Sequence, residues 1–177
     1  MLPKIHHQLI LLCLILVSSA RIASAERLPI KTYTIADGLA RNDVGCIKQD
    51  SHGFLWFCTG EGISRFDGYS FINYGTNAGL SSRNTNDLIE SRNGDYFIAT
   101  NDGLSRLSSS SFTGSAEKMF QVYRPEGGVF ARAFNVLVED RSGTIFCGTN
   151  GGLYRFEPGS EAGKFTRLDW IPVDERG

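Results

Sequence analysis

The sequence predicts an all-β protein made of β-propeller blades, about three four-stranded repeats in an incomplete ring. Two observations carry this reading. The first is a repeat anchored on the turn glycines Gly53, Gly94 and Gly143. In each copy an aromatic follows the glycine by three residues (Trp56, Phe97, Phe146) and a threonine by six (Thr59, Thr100, Thr149). A glycine follows by nine (Gly62, Gly103, Gly152) and an arginine by twelve (Arg65, Arg106, Arg155). The second is the period: the copies start 41 and 49 residues apart, and each divides into short apolar runs separated by turns. That is the signature of propeller blades.

Residues 1–25 are set apart from the fold. Lys4 precedes an unbroken apolar run from Leu9 to Val17, and Ala23-Ser24-Ala25 supplies the small residues of a cleavage site. This is the pattern of a secretory signal peptide, and nine apolar residues fall short of the ~20 that span a bilayer. Cleavage after Ala25 leaves 152 residues (26–177) and moves the formal net charge from -1 to -3. The expected location is the periplasm, with membrane attachment only as part of a longer sensor.

The strands follow in order. Ile30–Thr34 comes first, and its Ile30-x-x-Tyr33 spacing matches Phe71-x-x-Tyr74 and Phe120-x-x-Tyr123 of later fourth strands. It is expected to complete the last blade of a closed ring. The first blade, about 44–74, reads as Val44–Asp50, Phe54–Thr59, Gly62–Asp67 and Tyr69–Tyr74. The second, about 85–123, reads as Thr85–Glu90, Asp95–Thr100, Gly103–Leu107 and Met119–Tyr123. The third, about 134–170, reads as Phe134–Asp140, Thr144–Thr149, Gly152–Phe156 and Phe165–Trp170. The serine-rich stretch near Ser108–Ser111 lengthens the second period. Closed propellers have ~4–8 blades, so three leave two raw edges. The chain therefore reads as the N-terminal piece of a longer protein, with an assembled ring as the alternative.

Composition excludes several classes. With 18 Lys+Arg against 19 Asp+Glu there is no basic surplus to neutralise nucleic-acid phosphates. Four cysteines without a C-x-x-C pair, and only His6, His7 and His52, argue against a metal site; no cofactor is expected. Cys46, Cys58 and Cys147 each lie in a strand-like run and read as buried small hydrophobes rather than catalytic thiols. Trp56, Phe97 and Phe146 read as core between blades, not as sugar platforms.

Tyr33-Thr34-Ile35-Ala36-Asp37-Gly38-Leu39, Gly53-Phe54-Leu55-Trp56-Phe57 and Gly62-Ile63-Ser64-Arg65-Phe66-Asp67-Gly68 resemble the first blade of the two-component regulator propellers. These are the periplasmic sensor domains of bacterial hybrid histidine kinases, and the resemblance runs from about Leu28 to Trp170. It implies two stacked propellers, an immunoglobulin-like module, a membrane helix and a kinase, often with receiver and DNA-binding domains. It further implies a glycan or other small extracytoplasmic ligand, dimeric action, and partner domains downstream or on another chain. This sequence holds sensor segments without that output.

In a propeller, the loops from fourth to first strands and from second to third strands open on one face. The first set holds Arg41, Asn42, Arg83, Asn84 and Arg132; the second holds Glu61 and Asp102. Arg41, Arg83 and Arg132 stand 12, 11 and 11 residues before their turn glycines. Three guanidiniums on one channel suit a sugar carboxylate or sulfate, the alternative being ordinary solvated arginines. Arg65, Arg106 and Arg155 read as structural partners of acids or carbonyls in neighbouring blades.

No catalytic residue is assigned. Asp50 to Trp56 superficially resembles a sialidase Asp-box, but Asp50 precedes Gly53 by three residues instead of two, and the second copy has Ser91 there. The segment reads as a turn in which a carboxylate or hydroxyl caps backbone N–H groups. His52 falls in that turn, on the face away from the candidate loops. The runner-up function is a secreted propeller lyase or glycosidase using acids such as Glu61 and Asp102. A purely structural interaction module is the third option.

Overall fold

In a computed structural model, residues 28–109, 119–158 and 163–168 are described. The chain divides into two units, residues 1–32 and 33–177. Of the first only 28–32 are described, and they are not in a strand. The expected signal peptide lies outside the described residues, as do 169–170 of the last expected strand and most of the serine-rich stretch.

Among its described residues the second unit holds twelve strands in three antiparallel sheets. The first sheet is β1 (Val44–Gln49), β2 (Leu55–Thr59), β3 (Gly62–Phe66) and β4 (Phe71–Tyr74). The second is β5 (Thr85–Glu90), β6 (Tyr96–Thr100), β7 (Gly103–Leu107) and β8 (Phe120–Tyr123). The third is β9 (Phe134–Glu139), β10 (Ile145–Thr149), β11 (Gly152–Glu157) and β12 (Lys164–Leu168). Each sheet pairs its strands in chain order, which is the blade meander the repeat predicts. Every expected blade strand is present. Residues 28–34 are assigned no strand, and the last blade that Ile30–Thr34 is expected to complete is not among these three sheets.

The repeated residues have local causes. Each repeat threonine folds the turn between second and third strands: Thr59, Thr100 and Thr149 Oγ1 donate to the carbonyls of Gly62, Gly103 and Gly152 at 2.8, 2.9 and 2.9 Å. The same hydroxyls accept the N–H groups of Glu61, Asp102 and Gly151. Gly103 is at φ +128°, and a Cβ there would come within 2.8 Å of the Tyr123 carbonyl, so only glycine fits.

The core lies between sheets. Trp56, Cys58, Ile63 and Tyr74 of the first sheet pack on Leu88, Tyr96, Ile98, Leu107 and Phe120 of the second. Phe97, Leu104 and Tyr123 on the other side of the second sheet meet Phe134, Leu137, Ile145, Cys147 and Phe156 of the third. Sandwiched in this way, β6 is buried at all five positions. Trp56 and Phe97 are inter-blade core as expected, the Trp56 ring lying 5.0 Å from that of Tyr96. Truncating either to alanine would cost about 3–5 kcal/mol. Phe146, at the equivalent place, is only partly buried because no sheet among the described residues lies beyond it. Val136, Val138 and Leu153 beside it are about half exposed.

The cysteines depart from expectation. Cys46 and Cys58 form a disulfide across β1 and β2, where they are directly opposite with Cα atoms 4.9 Å apart. Cys147 fits the buried-hydrophobe reading: it is free, and burial pushes its thiol up to about 12.

Candidate functional site

The polar loops meet where the first strands begin. The chain enters β1 through a 3-10 turn at Ile35–Asp37, N-capped by Thr34, and enters β5 through an equivalent turn at Thr76–Ala78. Leu39 and Leu80 anchor these approaches in buried positions, which places Arg41 and Arg83 at the strand entrances. Both guanidiniums face one carboxylate: Glu61 Oε1 is 3.7 Å from Arg41 Nη1 and 3.4 Å from Arg83 Nη1. All three side chains are about half exposed, so each pair is worth about 0–1 kcal/mol.

The other expected residues separate from this group. Asp102 pairs with Arg124 at 2.8 Å, a partner the repeat arithmetic did not single out. Arg132 sits in a helical turn, α1 (Val129–Arg132), on the approach to β9, and its Nε is buried without a hydrogen-bond partner. Asn42 is structural, its Oδ1 accepting the Ile35 N–H at 2.8 Å. The structure thus brings Arg41, Arg83 and Glu61 together, with Asn84 beside them over Gly60.

A bulge recurs at this end of every sheet. The register shift between first and second strands skips Gly45, Asn86 and Asn135 in the three sheets. In the second sheet Asn86 Nδ2 donates to Asn101 Oδ1 at 2.8 Å, and in the third Asn135 Nδ2 donates to Asn150 Oδ1 at 2.8 Å. Each such pair ties the bulge to the turn between second and third strands. In the first sheet the two places are taken by Gly45 and Gly60. Side chains are missing there, and a cleft of about 280 Å³ remains, lined by Asp43, Gly45, Thr59, Gly60, Asn84, Thr85, Asn86 and Asn101. A hollow of about 700 Å³ lies farther round, beside Arg124, Phe130, Tyr154 and Arg167.

The arginines of the repeat correct one expectation. Two of them pair within their own blade: Arg106 grips Asp95 at 2.6 Å, and Arg155 grips Glu157 at 2.9 Å. Arg65 lies 4.6 Å from the Phe54 ring centroid.

The opposite end holds the Asp50 turn. Asp50 Oδ1 accepts the N–H groups of His52 and Phe54 at 3.0 and 2.9 Å, the capping role expected from sequence. Its Oδ2 accepts Trp56 Nε1 at 2.8 Å and the Tyr96 hydroxyl at 3.0 Å. Burial, then the bond to Asp50, holds the Tyr96 phenol well above its ordinary 10.0. Ser51 donates its hydroxyl to Glu90 at 2.6 Å, so that proton is not directed at His52 Nδ1, 3.3 Å away, as it would be in a Ser–His nucleophile pair. Among the described residues no group of three or more His, Cys, Asp or Glu is placed to hold a metal ion. Among them, too, no helix is long and apolar enough to cross a membrane.

With this geometry in place, three comparisons bear on identity. Residues 38–61 match the two-component regulator propeller family. A 47-residue stretch is 43% identical to histidine kinase P4 of Formosa agariphila, covering 27% of this chain and 3% of that protein. The fold is similar to the extracellular domain of the putative hybrid two component system BT3049 of B. thetaiotaomicron, with TM-score 0.59 and 27% identity over 72% of this chain and 17% of that one. A catalytically inactive virginiamycin B lyase from Staphylococcus aureus is similar in fold alone, with TM-score 0.55 and 17% identity over 84% of this chain and 45% of the lyase. The chain spans a small fraction of the kinase and of the extracellular domain it resembles. Residues 38–61, at the start of the first blade, thus match the two-component regulator propeller family in sequence, and 72% of the chain is similar in fold to the extracellular domain of a putative hybrid two component system.

Proposed function

We propose that this chain is the ligand-sensing propeller region of a two-component regulator, exported from the cytoplasm and reading a glycan or other small extracytoplasmic ligand. The observation that carries the reading is the polar loop face: Arg41, Arg83, Glu61 and Asn84 converge there, at the opposite end of β1 from His52. Recognition needs convergent polar groups of this kind, whereas catalysis needs a nucleophile or acid–base pair within reach of substrate. The acids offered for a lyase or glycosidase are already held, Glu61 by two arginines and Asp102 by Arg124. The Cys46–Cys58 disulfide supports an oxidising, extracytoplasmic compartment. The exposed Val136, Val138 and Leu153 support a further sheet packed against the third blade.

The test is a thermal-shift screen of the full chain against neutral and acidic oligosaccharides, with reducing-end release followed in parallel. One ligand class should raise the melting temperature, and Arg83→Ala or Glu61→Ala should abolish the shift. Release of new reducing ends would favour the lyase or glycosidase reading instead, and a flat screen would remove a glycan as the ligand.

A further inference from the structure

The break in the asparagine pattern says what the first blade is able to hold. Two sheets close their bulge with an asparagine pair; the first replaces both members with glycine and leaves the 280 Å³ cleft open. Neither glycine is at positive φ, so backbone conformation does not require them. A Cβ at Gly45 would meet only the Cys58 carbonyl, at 3.8 Å, so close packing does not require that glycine. One at Gly60 would press on Arg41 Nη1 at 3.2 Å and Asn84 Oδ1 at 3.5 Å, both of them ends of side chains.

The lining fixes the chemistry. Asp43 and the Asn84 side-chain amide have no hydrogen-bond or ion-pair partner among the described residues, although both line the cleft. Asn86 spends both amide hydrogens, on Asn101 Oδ1 and on the Phe134 carbonyl at 2.6 Å, which leaves its Oδ1 as an acceptor. Asn101 correspondingly keeps its amide hydrogens. The wall therefore offers a carboxylate, carbonyl oxygens and amide donors. Arg41 borders the cleft at Gly60, but it and Arg83 already share Glu61. An anion would have to compete with Glu61 for them and would be repelled by Asp43, while a metal ion would find a single carboxylate. An uncharged ligand rich in hydroxyls satisfies both kinds of group.

We infer that this cleft is a subsite for one neutral sugar ring, with adjacent hydroxyls shared between the Asp43 carboxylate and the Asn84 amide; the inference rests on the ligand-sensing reading and deepens it. The volume lies just below the usual range of ~300–1,000 Å³ for small-molecule sites, which suits one ring rather than a chain. No aromatic lines it, so affinity for a free monosaccharide is weak.

The test is ligand-observed NMR on the full chain with free glucose, galactose, mannose and arabinose, and glucuronate as the acidic comparator. At least one neutral sugar should bind. The double variant Gly45→Asn/Gly60→Asn, which restores the pair used by the other sheets, should weaken that binding at least tenfold. Asp43→Asn, at an exposed position, should weaken it at least threefold and serves if the double variant fails to fold. Neutral sugars bound equally well by these variants would overturn the cleft. Glucuronate bound alone, and lost in Arg83→Ala, would overturn the cleft while keeping the sensing role. No sugar bound at all would overturn both the cleft and a glycan as the sensed ligand.

Discussion

Glu90 holds Ser51 of the neighbouring sheet by both of its donors, the backbone N–H at 2.6 Å on Oε2 and the hydroxyl at 2.6 Å on Oε1. The contact recurs one sheet on, where the Arg92 N–H reaches Glu139 Oε2 at 3.1 Å. Ser51 and Arg92 each stand two residues before a repeat glycine, and Glu90 and Glu139 each stand four before the next. The repeat therefore encodes a latch between successive blades.

Because hydrogen bonds to a charged group are worth about 1.5–3 kcal/mol, Glu90→Ala should lower stability by about 1–2 kcal/mol at this partly open site. Ser51→Ala, which spares the backbone donor, should cost about half as much. Urea denaturation of the two single variants and the double variant reads the coupling. Additive effects would show that the latch contributes nothing beyond its separate residues.

The disulfide closes a segment of sequence separation 12. Constraint of the unfolded chain by such a loop is worth about 2–3 kcal/mol. Reductant should lower the denaturation midpoint of the wild type and leave that of Cys46→Ser/Cys58→Ser unchanged. A wild-type midpoint insensitive to reductant would show that the bridge does not stabilise the fold.

Cys147 should be inert in the folded chain. With its thiol at about 12, the reactive thiolate is about one part in ten thousand at pH 8. Peptide-level mass spectrometry after iodoacetamide treatment should find Cys147 unlabelled until denaturant is added. Labelling at native stability would mean that the second and third sheets part readily.

Two turn carboxylates set an acid limit. Asp67 is held below the ordinary 3.8 chiefly by the N–H groups of Ser70 and Tyr69, and Asp140 below it chiefly by the Ser142 hydroxyl and then the Thr144 N–H. Carboxyls depressed in the folded state stabilise it fully above the unfolded value, and that stabilisation is lost as pH falls through the lower folded value. Carboxyl-carbon NMR titration should give midpoints below 3.8 for both. Asp140→Asn should lessen the fall in stability on acidification below that point, and a midpoint at or above it would contradict the bonding described.

The blade strands were legible because turn glycines and period-two apolar runs are local signals, and all twelve lie within two residues of expectation at their described ends. The disulfide was legible too, although not read: Cys46 and Cys58 stand symmetrically about His52, the middle of a hairpin turn, so they must face each other. The Arg106–Asp95 pair follows from the same periodicity, since Arg106 is opposite Phe97 and Asp95 lies two residues before it on that face. Arg41, Arg83 and Glu61 share a loop face as expected, but side-chain direction decides which charges touch. Nothing in the spacing distinguishes Arg132 from Arg83, yet of these two Arg83 joins Arg41 at Glu61 and Arg132 does not. The cleft escaped notice because its signal is an absence, two glycines where the other copies have asparagine.

The complete burial of β6 also has a kinetic meaning. Its residues have a sheet on either side, so solvent deuterium reaches those amides only when the whole three-sheet body comes apart. β1, open over most of its length, exchanges through local fraying instead. Loss of structure in this chain therefore runs inward from its two outer blades, and the middle one is the last to let its hydrogens go.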